Sequence, residues 1–153
     1  MFVARLLTVR RAPGRSSVFQ RDYLMRLIEQ LGTMLRAMSG HVEVLENDEA
    51  LETSREGLSL LFRLPTGMVE SMTPDGLVAM LSAGGGLDAE RALLTADVFA
   101  LRAKAQAQAG NSTAAISDAA RARRLVDVLL ETPDELVNER AGSIGESLSI
   151  AGM

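Results

Sequence analysis

Between residues 88 and 130 the apolar positions recur with a helical period and not with the alternation of a strand. Asp88 suits the cap of a first helix, because its carboxylate can accept hydrogen bonds from amides that an opening turn leaves unpaired. Ala92, Leu93, Ala96, Phe99, Ala103 and Ala107 then fall along one side. Gly110 follows Ala109, where a residue in the left-handed conformation would stop the helix. Asn111 and Ser112 both suit the next cap, and the following stripe reads Ala115, Ile116, Ala119, Ala122, Leu125, Val126 and Leu129, ended by Pro133. Arg121, Arg123 and Arg124 lie in its second half, a favourable end for positive charge. A connection this short makes the two helices antiparallel. Alanine at facing positions lets them approach closely.

Upstream, Ser17 and Gln20 have the spacing of a capping box, and Phe19, Tyr23, Leu24, Leu27, Ile28, Leu31, Met34, Leu35 and Met38 form one broad apolar face closed by Gly40. A second helix is predicted over residues 43–63, with Leu45, Leu51, Leu58, Leu61 and Phe62 inward. Pro65, Thr66 and Gly67 break the chain, residues 68–72 form a single turn, and Thr73 caps a short helix that has Pro74 at its first position. Gly84, Gly85 and Gly86 end that helix. Thr132, Pro133 and Asp134 repeat the same kind of opening for a last helix, predicted to reach about Arg140. The organisation expected is a basic arm over 1–17, disordered or wrongly included at the start, one helical domain over 18–140, and a flexible tail over 141–153.

Composition narrows the class. Apolar residues make up 47% of the 153 residues but aromatics only 3%, so leucine, alanine, valine and methionine must build the core, and these suit helices better than sheets. There is no cysteine, which excludes disulfides, thiolate nucleophiles and thiolate metal ligands. No apolar run approaches the length of a bilayer span. The net charge of -4 conceals an asymmetry. Arg5, Arg10, Arg11, Arg15 and Arg21 all precede the first acidic residue, Asp22, so all 20 acidic residues lie beyond the arm. An acidic body is a poor partner for nucleic acid, whose binding rests on phosphate neutralisation. The arm has the look of a targeting or membrane-surface segment. Lys104 is the single lysine.

The hairpin residues resemble a tetratricopeptide repeat, a helix-turn-helix unit of about 34 residues with small residues at fixed places. Phe99 stands at its large aromatic position, Ala103 at its small position, Gly110 at the turn, and Ala115 and Ala122 at the two alanine positions of its second helix. Arg102, Gln106 and Ala119 depart from the pattern, standing where leucine, tyrosine and an aromatic are usual. A degenerate earlier repeat is traced by Ile28, Leu31, Gly32 and Leu35 with the small residues Ala50, Ser54 and Gly57. The segment Gln20-Arg21-Asp22-Tyr23-Leu24-Met25-Arg26-Leu27-Ile28 is similar to the start of a bacterial family of short helical proteins with a tetratricopeptide-like region. That likeness implies a fold and no activity. The repeat resemblance implies ligand-facing positions at Asp97, Ala100, Lys104, Ala107 and Gln108, of which Asp97, Lys104 and Gln108 are the candidate partner contacts. A single repeat does not support a carboxylate clamp.

Few residues offer chemistry. His41 is the one histidine, and without a second histidine or a cysteine neither a zinc site nor a serine-histidine pair follows. Glu43, Glu46, Asp48, Glu49 and Glu52 favour the dipole at a helix start, a metal site being the sharper alternative. The glycine triplet lacks the lysine and hydroxyl of a phosphate loop. Met25, Met34, Met38, Met68, Met72 and Met80 supply soft surface of the kind found in permissive grooves, or fill an aromatic-poor core.

The expectation is an all-α protein, helical hairpins packed as a short tetratricopeptide-like array, acting as a non-enzymatic interaction module or small scaffold. A bacterial cytoplasmic setting is expected, with a protein or peptide partner and no metal, cofactor, nucleic acid or membrane. Self-association is expected through residues 19–38 or the alanine-rich hairpin. The alternative is a regulator that holds a small apolar ligand between helices. If Met34 or Met38 lines a groove, replacing it with Gln weakens partner or dimer binding and leaves circular dichroism unchanged. A large fall in melting temperature would mark it as core.

Overall fold

Asp88 accepts a hydrogen bond from the Arg91 amide at 3.3 Å and opens the central helix, as its carboxylate chemistry requires. The computed structural model describes residues 46–152 continuously and, before them, the helical, exposed positions Arg26, Glu29, Thr33, Arg36, Ala37 and Gly40. The arm, Phe19, Met34, Met38 and His41 lie outside the described residues. The chain divides into two compact units, Met1–Gly32 and Thr33–Met153. The described part of the first is Arg26 and Glu29. The account that follows concerns the second.

From residue 46 the order is α1 (Asn47–Phe62), a 3-10 turn (Val69–Ser71), α2 (Pro74–Leu81), α3 (Ala89–Gln108), α4 (Ser112–Leu130) and α5 (Glu135–Ile150), with no strand among the described residues. The protein is an all-α array of helices packed on one another. Thr73 Oγ1 caps α2 by accepting from the Gly76 amide at 3.0 Å, with Pro74 in the first turn. Gly110 has φ +85° and turns the chain between α3 and α4, a conformation that costs glycine little. Asn111 precedes α4 without capping it; its Nδ2 donates instead to Gln106 Oε1 at 3.0 Å.

Among the described residues the hairpin of α3 and α4 is the most extensive pairing, and α1, α2 and α5 all pack against it. Ala92, Ala96, Ala103, Ala115, Ala119 and Ala122 are buried, with Phe99, Leu125 and Leu129 filling the space between. A single apolar side does not describe α3. Leu94, Thr95, Val98, Ala100, Arg102, Ala105 and Gln106 are buried as well, so this helix is covered on several faces. Ala50 and Leu51 of α1 cluster with Ala105 and Leu101. Arg91 Nη2 donates to the Leu61 carbonyl at 2.9 Å and its guanidinium lies 5.3 Å from the Phe62 ring centre, which joins the end of α1 to the start of α3.

Three expectations change. Ala107 and Ile116 are exposed, Ile116 to 69%: both lie toward the loop end of the hairpin, past Ala105, where α1 packs. The last helix begins at Glu135, not at the threonine-proline opening, because Asp134 Oδ1 accepts from the Leu136 and Val137 amides at 3.0 and 3.3 Å. Thr132 Oγ1 turns back to the Leu129 carbonyl at 2.8 Å. Most consequentially, the segment expected to be a flexible tail is helical as far as Ile150 and buries Ala141, Ile144 and Leu148. Those three recur at helical spacing, and α5 lies close enough to α4 that a Cβ at Gly145 would meet Val126 Cγ1 at 3.5 Å, an ordinary contact.

Packing of this last helix is testable by denaturant unfolding. Leu148 is 1% exposed, so Leu148→Ala lowers stability by about 2 to 4 kcal/mol. Gly142 has open space at its Cβ, and Gly142→Ala raises stability by about 0.5 to 1 kcal/mol. A frayed tail would leave both substitutions silent.

Candidate functional site

The face of α3 bearing Asp97, Ala100, Leu101 and Lys104 follows the i, i+3, i+4, i+7 spacing that puts residues on one side of a helix. With Arg36 and with Ile144 and Ser147 of α5, these four line a cleft of about 310 Å³. A second cleft of about 390 Å³ shares Lys104 and Ser147 and continues along α5 past Ser143 and Glu146 to Ile150. Together they form a groove along the α3–α5 face. The residues that sequence spacing singles out divide here. Asp97, Ala100 and Lys104 come together in the groove. Ala107 and Gln108 are exposed and line neither cleft.

Asp97 and Lys104 are both half-buried. Among the described residues no hydrogen bond or ion pair engages either side chain. Burial pushes the Asp97 carboxyl above the usual carboxylate range, against a smaller downward pull from Arg140. Seven residues at 1.5 Å each place the two charged positions about 10.5 Å apart along the helix, with the apolar pair Ala100 and Leu101 between them. The wall contributed by α5 comes from the segment that reads as a tail in the sequence. Its signal was Ala141, Ile144 and Leu148 at helical spacing, obscured by Gly142 and Gly145.

A second constellation sits on another side of α3. Arg102 and Asp118 are buried, their side chains 6% and 3% exposed, with Nε and Oδ2 3.3 Å apart. They face each other as charges without an aligned hydrogen bond. Arg102 Nη1 donates to Ser54 Oγ at 2.6 Å, and Ser54 Oγ donates to the Leu51 carbonyl at 2.6 Å. Arg121 Nη1 donates to Asp118 Oδ1 at 3.1 Å and Arg121 Nε to the Met72 carbonyl at 2.8 Å. The Arg121 guanidinium also lies 5.5 Å from the centre of the Phe99 ring. Burial pushes Asp118 up and Arg102 down from their ordinary values, each toward its neutral form; their mutual attraction opposes this, aided by Arg121 at Asp118 and Glu70 at Arg102. Glu70 lies on the 3-10 turn, its Oε2 3.8 Å from Arg55 Nε. This polar layer therefore joins α1, the turn, α3 and α4. Sequence reasoning marked Arg102 and Gln106 as departures from the repeat pattern and Ser54 as a small position, but not Asp118, which gives no sign of burial in a polar stretch.

Among the described residues no group of three or more histidine, cysteine, aspartate or glutamate side chains is placed to hold a metal ion, and no helix is long and apolar enough to cross a membrane. Comparison with protein-family models, with curated proteins and with solved structures gives no match.

Two outcomes follow from these geometries. Arg102→Met leaves the buried Asp118 carboxylate with Arg121 alone and costs about 3 kcal/mol in urea unfolding, whereas Arg102→Met combined with Asp118→Leu recovers much of the loss. For Asp97, a folded pKa above the unfolded one means that the fold binds the proton more tightly, so ionisation costs stability. That cost is full at neutral pH and disappears as pH falls toward and below about 4, the unfolded carboxylate value. Asp97→Asn is therefore more stable than the natural chain at pH 7, and urea midpoints of the two converge as pH is lowered to 4. A pH-independent difference between them would refute the assignment.

Proposed function

We propose that this chain is a non-enzymatic interaction module or small scaffold whose partner, a protein or peptide, lies along the α3–α5 groove. The observation that carries this reading is the pairing in one groove of two charged side chains without hydrogen-bond or ion-pair partners, Asp97 and Lys104, about 10.5 Å apart on either side of an apolar strip. Groups of this kind gain from a partner that supplies opposite charge, since their own desolvation is already partly incurred. The continuation of the groove to Ile150, 87% exposed, favours a long occupant over the compact apolar ligand of a helical regulator, which needs an enclosing pocket with converging polar groups. The repeat resemblance of Phe99, Ala103, Gly110, Ala115 and Ala122 agrees with an interaction role, and the lack of cysteine with a cytoplasmic setting. Gln108 remains a proposed contact outside this groove's lining, and Met34 and Met38 remain proposed contacts that lie outside the described residues.

Site-specific photo-crosslinking in the native host tests the reading. A photoreactive residue at Ser147, in the groove, gives discrete protein adducts by mass spectrometry. The same residue at Ser117, exposed on α4, gives none. Absence of protein adducts from both Ser147 and Ser143 would reject a partner in this groove.

A further inference from the structure

The groove is lined by the faces of two helices, α3 and α5, together with Arg36. Helical backbone groups are already bonded to one another, and no strand edge is present among the described residues. An extended segment laid here would find side chains but no backbone partners for its amides, whereas a helix satisfies its own. Along the floor the order is carboxylate, small and aliphatic residues, ammonium: Asp97, then Ala100 and Leu101, then Lys104, with Ile144 beside them. The separation of Asp97 and Lys104 is two helical turns. A helix lying along α3 presents its own side chains at that same interval, at positions i and i+7, with i+3 and i+4 between.

We infer that the groove takes an amphipathic α-helix of a partner protein, one that carries a basic and an acidic side chain seven residues apart with aliphatic side chains between them. This deepens, and rests on, the interaction reading above. The basic side chain pairs with Asp97, the acidic one with Lys104, and the aliphatic pair lies over Ala100, Leu101 and Ile144. Burial strengthens both ionic contacts relative to the same contacts on an open surface. The mode is that of an amphipathic helix in a groove, with the charges setting partner choice and register. The chain's own arm is a weaker fit. It offers Arg5, Arg10, Arg11 and Arg15 for Asp97, but no acidic residue for Lys104.

The test uses the full chain and stapled helical peptides, with binding read by fluorescence anisotropy at low salt. The first peptide has a lysine, leucines three and four residues on, and a glutamate seven residues on. It binds saturably, and replacing its lysine with glutamate, or its glutamate with lysine, weakens binding about tenfold through like-charge contact. Asp97→Lys shifts the preference to the peptide with two glutamates, and Lys104→Glu to the peptide with two lysines, with circular dichroism unchanged. Should Asp97→Lys fail to fold, Asp97→Asn serves, and it abolishes the preference for lysine at that end. Equal affinity for all charge patterns overturns the inference, as does equal binding by a peptide kinked by a central proline. A full chain with Arg5, Arg10, Arg11 and Arg15 changed to serine binds the first peptide no better than the natural chain. A large gain there would make the arm the occupant and overturn the inference. If the peptides fail while the Ser147 adducts persist, the helix and its charge pattern are wrong and the interaction reading stands; loss of the adducts removes both.

Discussion

A guanidinium held in the wall of a core constrains how this fold can be assembled. Arg102 sits in the helix with the most buried residues among those described, and burial works against its charge. The groups that hold its charge come from other elements: Asp118 from α4, Ser54 from α1, and Glu70 from the 3-10 turn. Sliding α3 along α4 by one turn would move Arg102 about 5.4 Å from Asp118, leaving a buried guanidinium without its carboxylate and Asp118 with Arg121 alone. The alanines between the helices would tolerate such a slip, because small side chains of one kind specify register weakly. Alanine thus permits the close approach, and the ion pair fixes where it occurs. Such a pair adds little net stability over an apolar substitute, but breaking it is costly.

This division of labour explains what could be read from the chain. The helix starts at Thr73 and Asp88 and the turn at Gly110 were legible because each depends on local chemistry, a side-chain oxygen reaching an amide or a backbone with positive φ. The hairpin followed from the short connection. The surroundings of α3 were not legible, since alanine is compatible with a buried face and with an exposed one. Ala103 and Ala107 read alike in the sequence, yet α1 packs near Ala105, so Ala103 is buried and Ala107 is not. Ile116 stands out from the stripe for the same reason. Asp118 was hidden because nothing in its neighbours marks an aspartate that will be buried.

The last helix shows the opposite case, in which local preference is overruled. Gly142, Ser143, Gly145, Ser147 and Ser149 lower helix propensity across the segment, and on that ground it reads as a tail. Packing decides otherwise. Ala141, Ile144 and Leu148 project from one side into the core, and the fit against Val126 tolerates glycine at 145. Most helical stability in a protein comes from such packing and not from propensity.

The groove exists only because of that helix. Without α5, the Asp97 and Lys104 face of α3 would be an open surface with both charges in water, where a complementary ion pair is worth little. Adding the Ile144 and Ser147 wall removes part of that water and raises the effective strength of each charge, and the upward push on the Asp97 carboxyl is the sign that desolvation has begun. The two faces of α3 therefore use buried charge in opposite ways. Toward Ser54 and Asp118 the charges are matched within the chain and lock the register of its own helices. Toward α5 they have no hydrogen-bond or ion-pair partner among the described residues, Arg140 acting on Asp97 only at longer range, which is the condition under which a second molecule can gain by matching them.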